Sequence, residues 1–155
     1  MKKWLVAAVV ALMAFGLVGG PVSASNPGTV KIDGIPFDQV PNNEPHPGCL
    51  FQLQFFGFPT GTQVSYKFAV YPPTSNTNGP GTLIVPPGVV SATLPAQGAK
   101  KLNLDTGAIS LQQGLANAGV TAHPIQGFHV KLTVNTPGGK KYKVFWVECQ
   151  VNPYN

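Results

Sequence analysis

Three features of the chain predict an all-β domain. Eighteen glycines and sixteen prolines cut it into short apolar runs, as the turns of a sandwich or barrel do. Two of those runs, CLFQLQFFGF and FHVKLTV, alternate with the period of two that marks a strand. The only two cysteines, Cys49 and Cys149, stand at the start of one strong strand pattern and at the end of another. Together these point to an immunoglobulin-like β-sandwich of about seven or eight short strands with one short helix.

GTVKIDG near residue 30 reads as the first strand. In CLFQLQFFGF, Cys49, Phe51, Leu53 and Phe55 share one face, with Gln52 and Gln54 on the other. VSYKFAVY, residues 64–71, follows the turn PTGT and is ended by Pro72 and Pro73. SNTNGPG, 75–81, is a loop. TLIV, 82–85, is a fourth strand closed by Pro86 and Pro87, VVSATL around 90–94 a weaker fifth, and KKLNLD, 100–105, a sixth. ISLQQGLANA, 109–118, is the one stretch with helical character; Gly119 suits its C-cap, while Gly114 weakens it. FHVKLTV, 128–134, points Phe128, Val130, Leu132 and Val134 inward and His129, Lys131 and Thr133 outward. NTPGGK, 135–140, is a hairpin turn, and KYKVFWVEC, 141–149, returns. Phe145, Val147 and Cys149 share one face of that strand and Tyr142, Val144 and Trp146 the other. A strand apolar on both faces is central, bulged, or carries an exposed apolar patch.

The first two dozen residues read as an address. Lys2 and Lys3 precede an apolar run of 15 residues, 4–18, and GGPVSA then places the small residues Val22 and Ala24 where signal peptidase needs them. Residues 1–24 are therefore expected to be a secretory signal peptide, leaving 25–155 as one extracellular domain. The alternative, an uncleaved anchor, is disfavoured because a span needs about 20 apolar residues. No wall-anchoring tail follows Cys149, so the expected product is freely released or held non-covalently at the cell surface.

Residues 25–155 carry eight lysines against five acids, a formal charge of +3, and the chain has no arginine. Arginine is the residue of choice for bidentate phosphate and base recognition, so its absence counts against a nucleic-acid reader. The basic excess suits an anionic wall or membrane surface, although lysines on turns and strand edges are ordinary. In an exported chain an even cysteine pair reads as a disulfide. Cys49–Cys149 would close a loop of about 100 residues, worth about 4–5 kcal/mol on chain-entropy grounds.

Five blocks, GTVKIDGIPFD, NEPHPGCLFQLQFFGF, YPPT, HPIQGFHVKLTV and KKYKVFWVEC, together resemble a family of small exported proteins from actinobacteria-like Gram-positive bacteria. The two cysteine-bearing blocks are the most specific, and the resemblance covers nearly all of the chain after the signal. It implies an exported β-sandwich. The family has no assigned activity, so the resemblance implies no chemistry.

NEPHPGC, 43–49, raises a metal question. Glu44 and His46 are local ligand candidates, and His123 is the third member of a possible divalent-cation set, with Asp33, Asp38 and His129 more distant. The structural alternative is preferred: Pro45 and Pro47 stiffen a turn, Gly48 allows a tight bend, and Glu44 or His46 bonds neighbouring backbone. No GxSxG elbow, HExxH helix or paired-carboxylate motif is present. An oxidised cysteine pair offers no thiol nucleophile. The sequence thus reads as non-catalytic and cofactor-free: an exported or cell-surface domain with an adhesive, binding or structural role, its partner a cell-wall polymer or an extracellular protein. A carbohydrate-binding module is the alternative, with Trp146, Tyr142, Tyr66, Tyr71 and Phe56 as candidate rings for sugar stacking. Against that, Trp146 and Phe68 are expected to fill the core. A metal-dependent hydrolase is the third reading.

Overall fold

The computed structural model describes residues 27–38, 40, 42–75, 81–85, 91–97 and 101–150. The expected signal peptide at 1–24 lies outside them, as do parts of the expected loops and strands at 76–80, 86–90 and 98–100.

Among the described residues nine strands form two packed antiparallel sheets, with one helix beside them. The first sheet holds β1 (Thr29–Gly34), β2 (Leu50–Phe56), β6 (Leu102–Asp105) and β7 (Ile109–Ser110). Its order is β1-β2-β6, with β7 also pairing on β2. The second holds β3 (Gln63–Val70), β4 (Leu83–Ile84), β5 (Ser91–Thr93), β8 (Phe128–Thr136) and β9 (Gly139–Val147). It runs β4-β3-β8-β9, with β5 on β3. The core lies between the sheets. Val30, Ile32, Phe51, Leu53 and Phe55 from the first sheet meet Val64, Phe68, Val70, Val130, Leu132 and Phe145 from the second. The Phe51 ring packs edge-on against both Phe68 and Phe145, with centroids 5.7 and 5.3 Å away, and so ties the sheets together.

Two expectations change. Ile109 and Ser110, read as the start of the helix, instead form β7, because Ile109 finds a buried place opposite Phe51 on β2. The helix α1 is Gln112–Ala118, and Gly119 closes it at φ 61°. Gly114 is a close-approach residue: a Cβ there would stand 2.5 Å from Ile84 Cγ2 of β4. The second change concerns β2. Its alternation holds, yet Gln52 and Gln54 are buried too. Both side-chain amides donate to Asp33 Oδ2, at 2.6 and 3.0 Å, and Gln54 Nε2 also donates to the Asp38 carbonyl. The Asp38 N–H donates to the same Asp33 oxygen, at 3.1 Å. The chain after β1 therefore folds back over the glutamine face and seals it with polar contacts.

Of the three readings for the last strand, β9 is an edge strand with an exposed apolar patch: Phe145 and Val147 are buried, whereas Tyr142 and Val144 are exposed. The hairpin that delivers it has Pro137 and Gly138 at its tip, and Thr136 Oγ1 donates to the Gly139 carbonyl at 2.8 Å. Among the described residues no helix is long and apolar enough to cross a membrane.

Candidate functional site

The NEPHPGC stretch is a strap between the two sheet edges. The Glu44 N–H donates to the Ile32 carbonyl at 3.0 Å, and Glu44 Oε2 accepts the Gly34 N–H at 2.9 Å. The Pro45 carbonyl then accepts the Trp146 N–H at 2.9 Å, so the strap bonds β1 behind it and β9 ahead. The close approach of the strap favours glycine at 34: a Cβ there would stand 2.5 Å from Glu44 Oε2 and 2.9 Å from the Pro47 carbonyl oxygen. At the end of the strap, Cys49 is bonded to Cys149, their Cα atoms 4.7 Å apart. The expected disulfide is present, between the residue before β2 and a residue just beyond β9.

The three residues proposed as metal ligands go separate ways. The Glu44 carboxylate holds backbone, His46 is exposed, and His123 Nδ1 accepts the N–H groups of Ile125 and Gln126 at 3.3 and 3.2 Å. Among the described residues no three His, Cys, Asp or Glu side chains gather as a metal site would require.

The aromatic candidates also separate. Tyr66, only 7% exposed, packs edge-on against Phe68 in the core, and Phe56 is buried, so neither ring is available to a ligand. Burial raises the Tyr66 phenol above its ordinary pKa, because the phenolate would lose its water. Tyr71, Tyr142 and Trp146 lie toward the outer face of the second sheet. Trp146 is neither core nor open platform. Its indole stacks on His129, directly opposite on β8, with centroids 4.3 Å apart and planes 23° apart. His123 stands edge-on to it at 5.7 Å. His129 is anchored in turn, its Nδ1–H donating to the Pro72 carbonyl and its backbone N–H to Thr74 Oγ1 at 2.7 Å. One indole face is thus covered by a fixed imidazole.

Tyr142 is the most open of these rings, 54% exposed. Beside it lies a shallow cavity of about 400 Å³ on the outer face of β3, β8 and β9. Lys67, Lys131, Lys140, Thr133, Leu83 and Tyr142 line it, and no carboxylate does. The register explains the gathering. Lys67 and Tyr142 flank Thr133 in one row, and Lys131 lies two residues along β8 on the same face. The Lys131 ammonium sits 4.6 Å from the Tyr142 ring centroid and 5.3 Å from that of Tyr71, which is cation–π range.

The sequence marks Tyr142 as a candidate ring, whereas its lysines read as ordinary surface charge. Lys131, Tyr142 and Trp146 are legible as outward by alternation; their convergence with Lys67 depends on strand order and register. No family model matches the chain, and neither a curated protein nor a solved structure matches it significantly.

Proposed function

We propose that this chain is an exported, non-catalytic binding domain that holds an extracellular polymer on the outer face of β3, β8 and β9. The observation that carries the reading is the lysine- and tyrosine-lined cavity on that face. Aromatic and cationic side chains standing on a paired sheet form a fixed recognition surface, since the backbone beneath them cannot easily move. The disulfide and the strap support it by pinning the β9 side of that face. A cross-linked domain of this kind suits an oxidising extracellular setting.

The test is co-sedimentation of the chain from residue 25 onward with isolated Gram-positive cell walls and with insoluble polysaccharides. Retention that falls in Tyr142→Ala while thermal stability holds is the expected result. No retention on any polymer, or retention that ignores Tyr142→Ala, would refute the reading. The carbohydrate-binding alternative shares the face and rests on the exposed Tyr142 ring; it requires retention on neutral sugars.

A further inference from the structure

We propose that the ligand of this face is an anionic extracellular polymer, an acidic polysaccharide or a polyol phosphate, whose carboxylate or phosphate groups pair with Lys67, Lys131 and Lys140. The inference rests on the binding-face reading above and adds the charge of the ligand.

The rings argue against neutral sugar stacking. A sugar binds an aromatic residue by lying on an open ring face. Here one face of Trp146 carries the His129 imidazole, and the Lys131 ammonium is drawn to the rings of both Tyr71 and Tyr142. What the face offers outward is the cation that the tyrosines hold in place. An ammonium fixed between two rings has already lost some of its freedom, so pairing it with an anion costs less ordering than pairing a freely rotating lysine.

The charge distribution agrees. The chain's five acids are Asp33, Asp38, Glu44, Asp105 and Glu148. They stand on β1, on the chain after it, in the strap, on β6 and just past β9, and none lines the cavity. The face therefore presents one sign of charge in a chain that is only modestly basic.

The spacing favours a polymer over one small ion. Lys67 and Lys131 are diagonal neighbours across β3 and β8, at about 7–8 Å. Lys140 lies four residues along β9 from the partner of Lys131, roughly 14 Å away by strand geometry. Backbone positions spread over that distance around one cavity suit successive charges of one chain better than a single small ion. A peptide is the weaker fit. Among the described residues β8 is paired along both sides, and β3 pairs with β8 on one side and with the short strands β4 and β5 on the other, so the middle of this face leaves little room for an added strand. Lysine, a point charge without arginine's fork geometry, suits anions presented at varied angles along a flexible chain.

The test titrates residues 25–155 by calorimetry with four soluble probes: polygalacturonate, poly(glycerol phosphate), dextran and poly-glutamate. The expected result is binding to polygalacturonate, to poly(glycerol phosphate), or to both, which identifies carboxylate or phosphate as the recognised group, with no binding to dextran. Affinity should fall at least about tenfold between 50 and 200 mM salt, as several ion pairs are screened and counterions released. Lys67→Gln, Lys131→Gln and Lys140→Gln should each weaken binding about two- to fivefold, with melting temperature unchanged. Salt-insensitive binding, or lysine variants that bind like the parent, would overturn the proposal. Preference for poly-glutamate over both polygalacturonate and poly(glycerol phosphate) would reassign the face to an acidic protein. Dextran binding that Tyr142→Ala abolishes would discard the anion and keep the face. Failure of all four probes together with no retention on walls would discard both.

Discussion

His129 and Trp146 stand opposite each other on β8 and β9 as a stacked pair, and the same imidazole is bonded through Nδ1–H to the Pro72 carbonyl. The pair joins the outer sheet face to the turn that follows β3. In the chain from residue 25 onward Trp146 is the sole tryptophan, so its fluorescence reports on the surroundings of this one indole, His129 and His123 included. His129→Ala should make the indole more accessible to acrylamide and cost about 1–2 kcal/mol, the usual cost of stranding a part-buried hydrogen-bond partner. Quenching identical to the parent's would mean that the imidazole does not shield the ring.

The Cys49–Cys149 bond fastens residues 100 apart in sequence. The double variant Cys49→Ala/Cys149→Ala should lose about 4–5 kcal/mol, a fall of roughly 15 °C in melting temperature for a domain of this size. His46→Ala, three residues earlier and exposed, should stay within about 0.5 kcal/mol. Thermal melts of both variants decide this. A large loss in His46→Ala would show that the strap depends on the imidazole and not on Glu44 and Pro45.

Asp33 is a buried carboxylate that accepts from Gln52, Gln54 and the Asp38 backbone. Asp33→Ala would strand the two buried glutamine amide donors and release the part-buried Asp38 N–H. The expected cost is about 2–4 kcal/mol, since each stranded donor costs about 1 kcal/mol or more. Urea unfolding would measure it. A cost under 1 kcal/mol would mean that the chain over the glutamine face opens readily and lets water satisfy those donors.

What the sequence revealed and what it hid follow one division. Features set by neighbours along the chain were legible, such as the alternation of β8 and the Gly119 cap, and the disulfide was legible because two cysteines allow a single pairing. Other features set by pairing between distant segments were not. Gln52 and Gln54 look like a solvent face until residues after β1 fold over them. Ile109 looks helical until β2 offers it a partner. Gly114 looks like a flaw until Ile84 is seen to press on it. The lysine cavity has the same origin, because Lys67, Lys131 and Lys140 come from three strands and meet only through register.

The sandwich edge formed by β1 and β9 holds two like charges. The Lys143 pKa is lowered, first by partial burial and then by the charge of Lys31. A lowered folded-state pKa on a lysine means that the charged form destabilises the fold. The penalty is fully present below that lowered pKa, and it is relieved as pH rises through it toward the ordinary 10.5 of the unfolded chain. Lys31→Gln should therefore stabilise the protein at pH 7 by a few tenths of a kcal/mol, as expected for a largely solvated pair. The gain should shrink in 0.5 M salt, where screening is strong, and vanish at high pH once Lys143 is neutral in both states. Denaturant midpoints of parent and variant at neutral and alkaline pH, each at low and high salt, would follow it. A gain that survives both salt and alkaline pH would trace to the altered packing of β1 and not to repulsion between the two lysines.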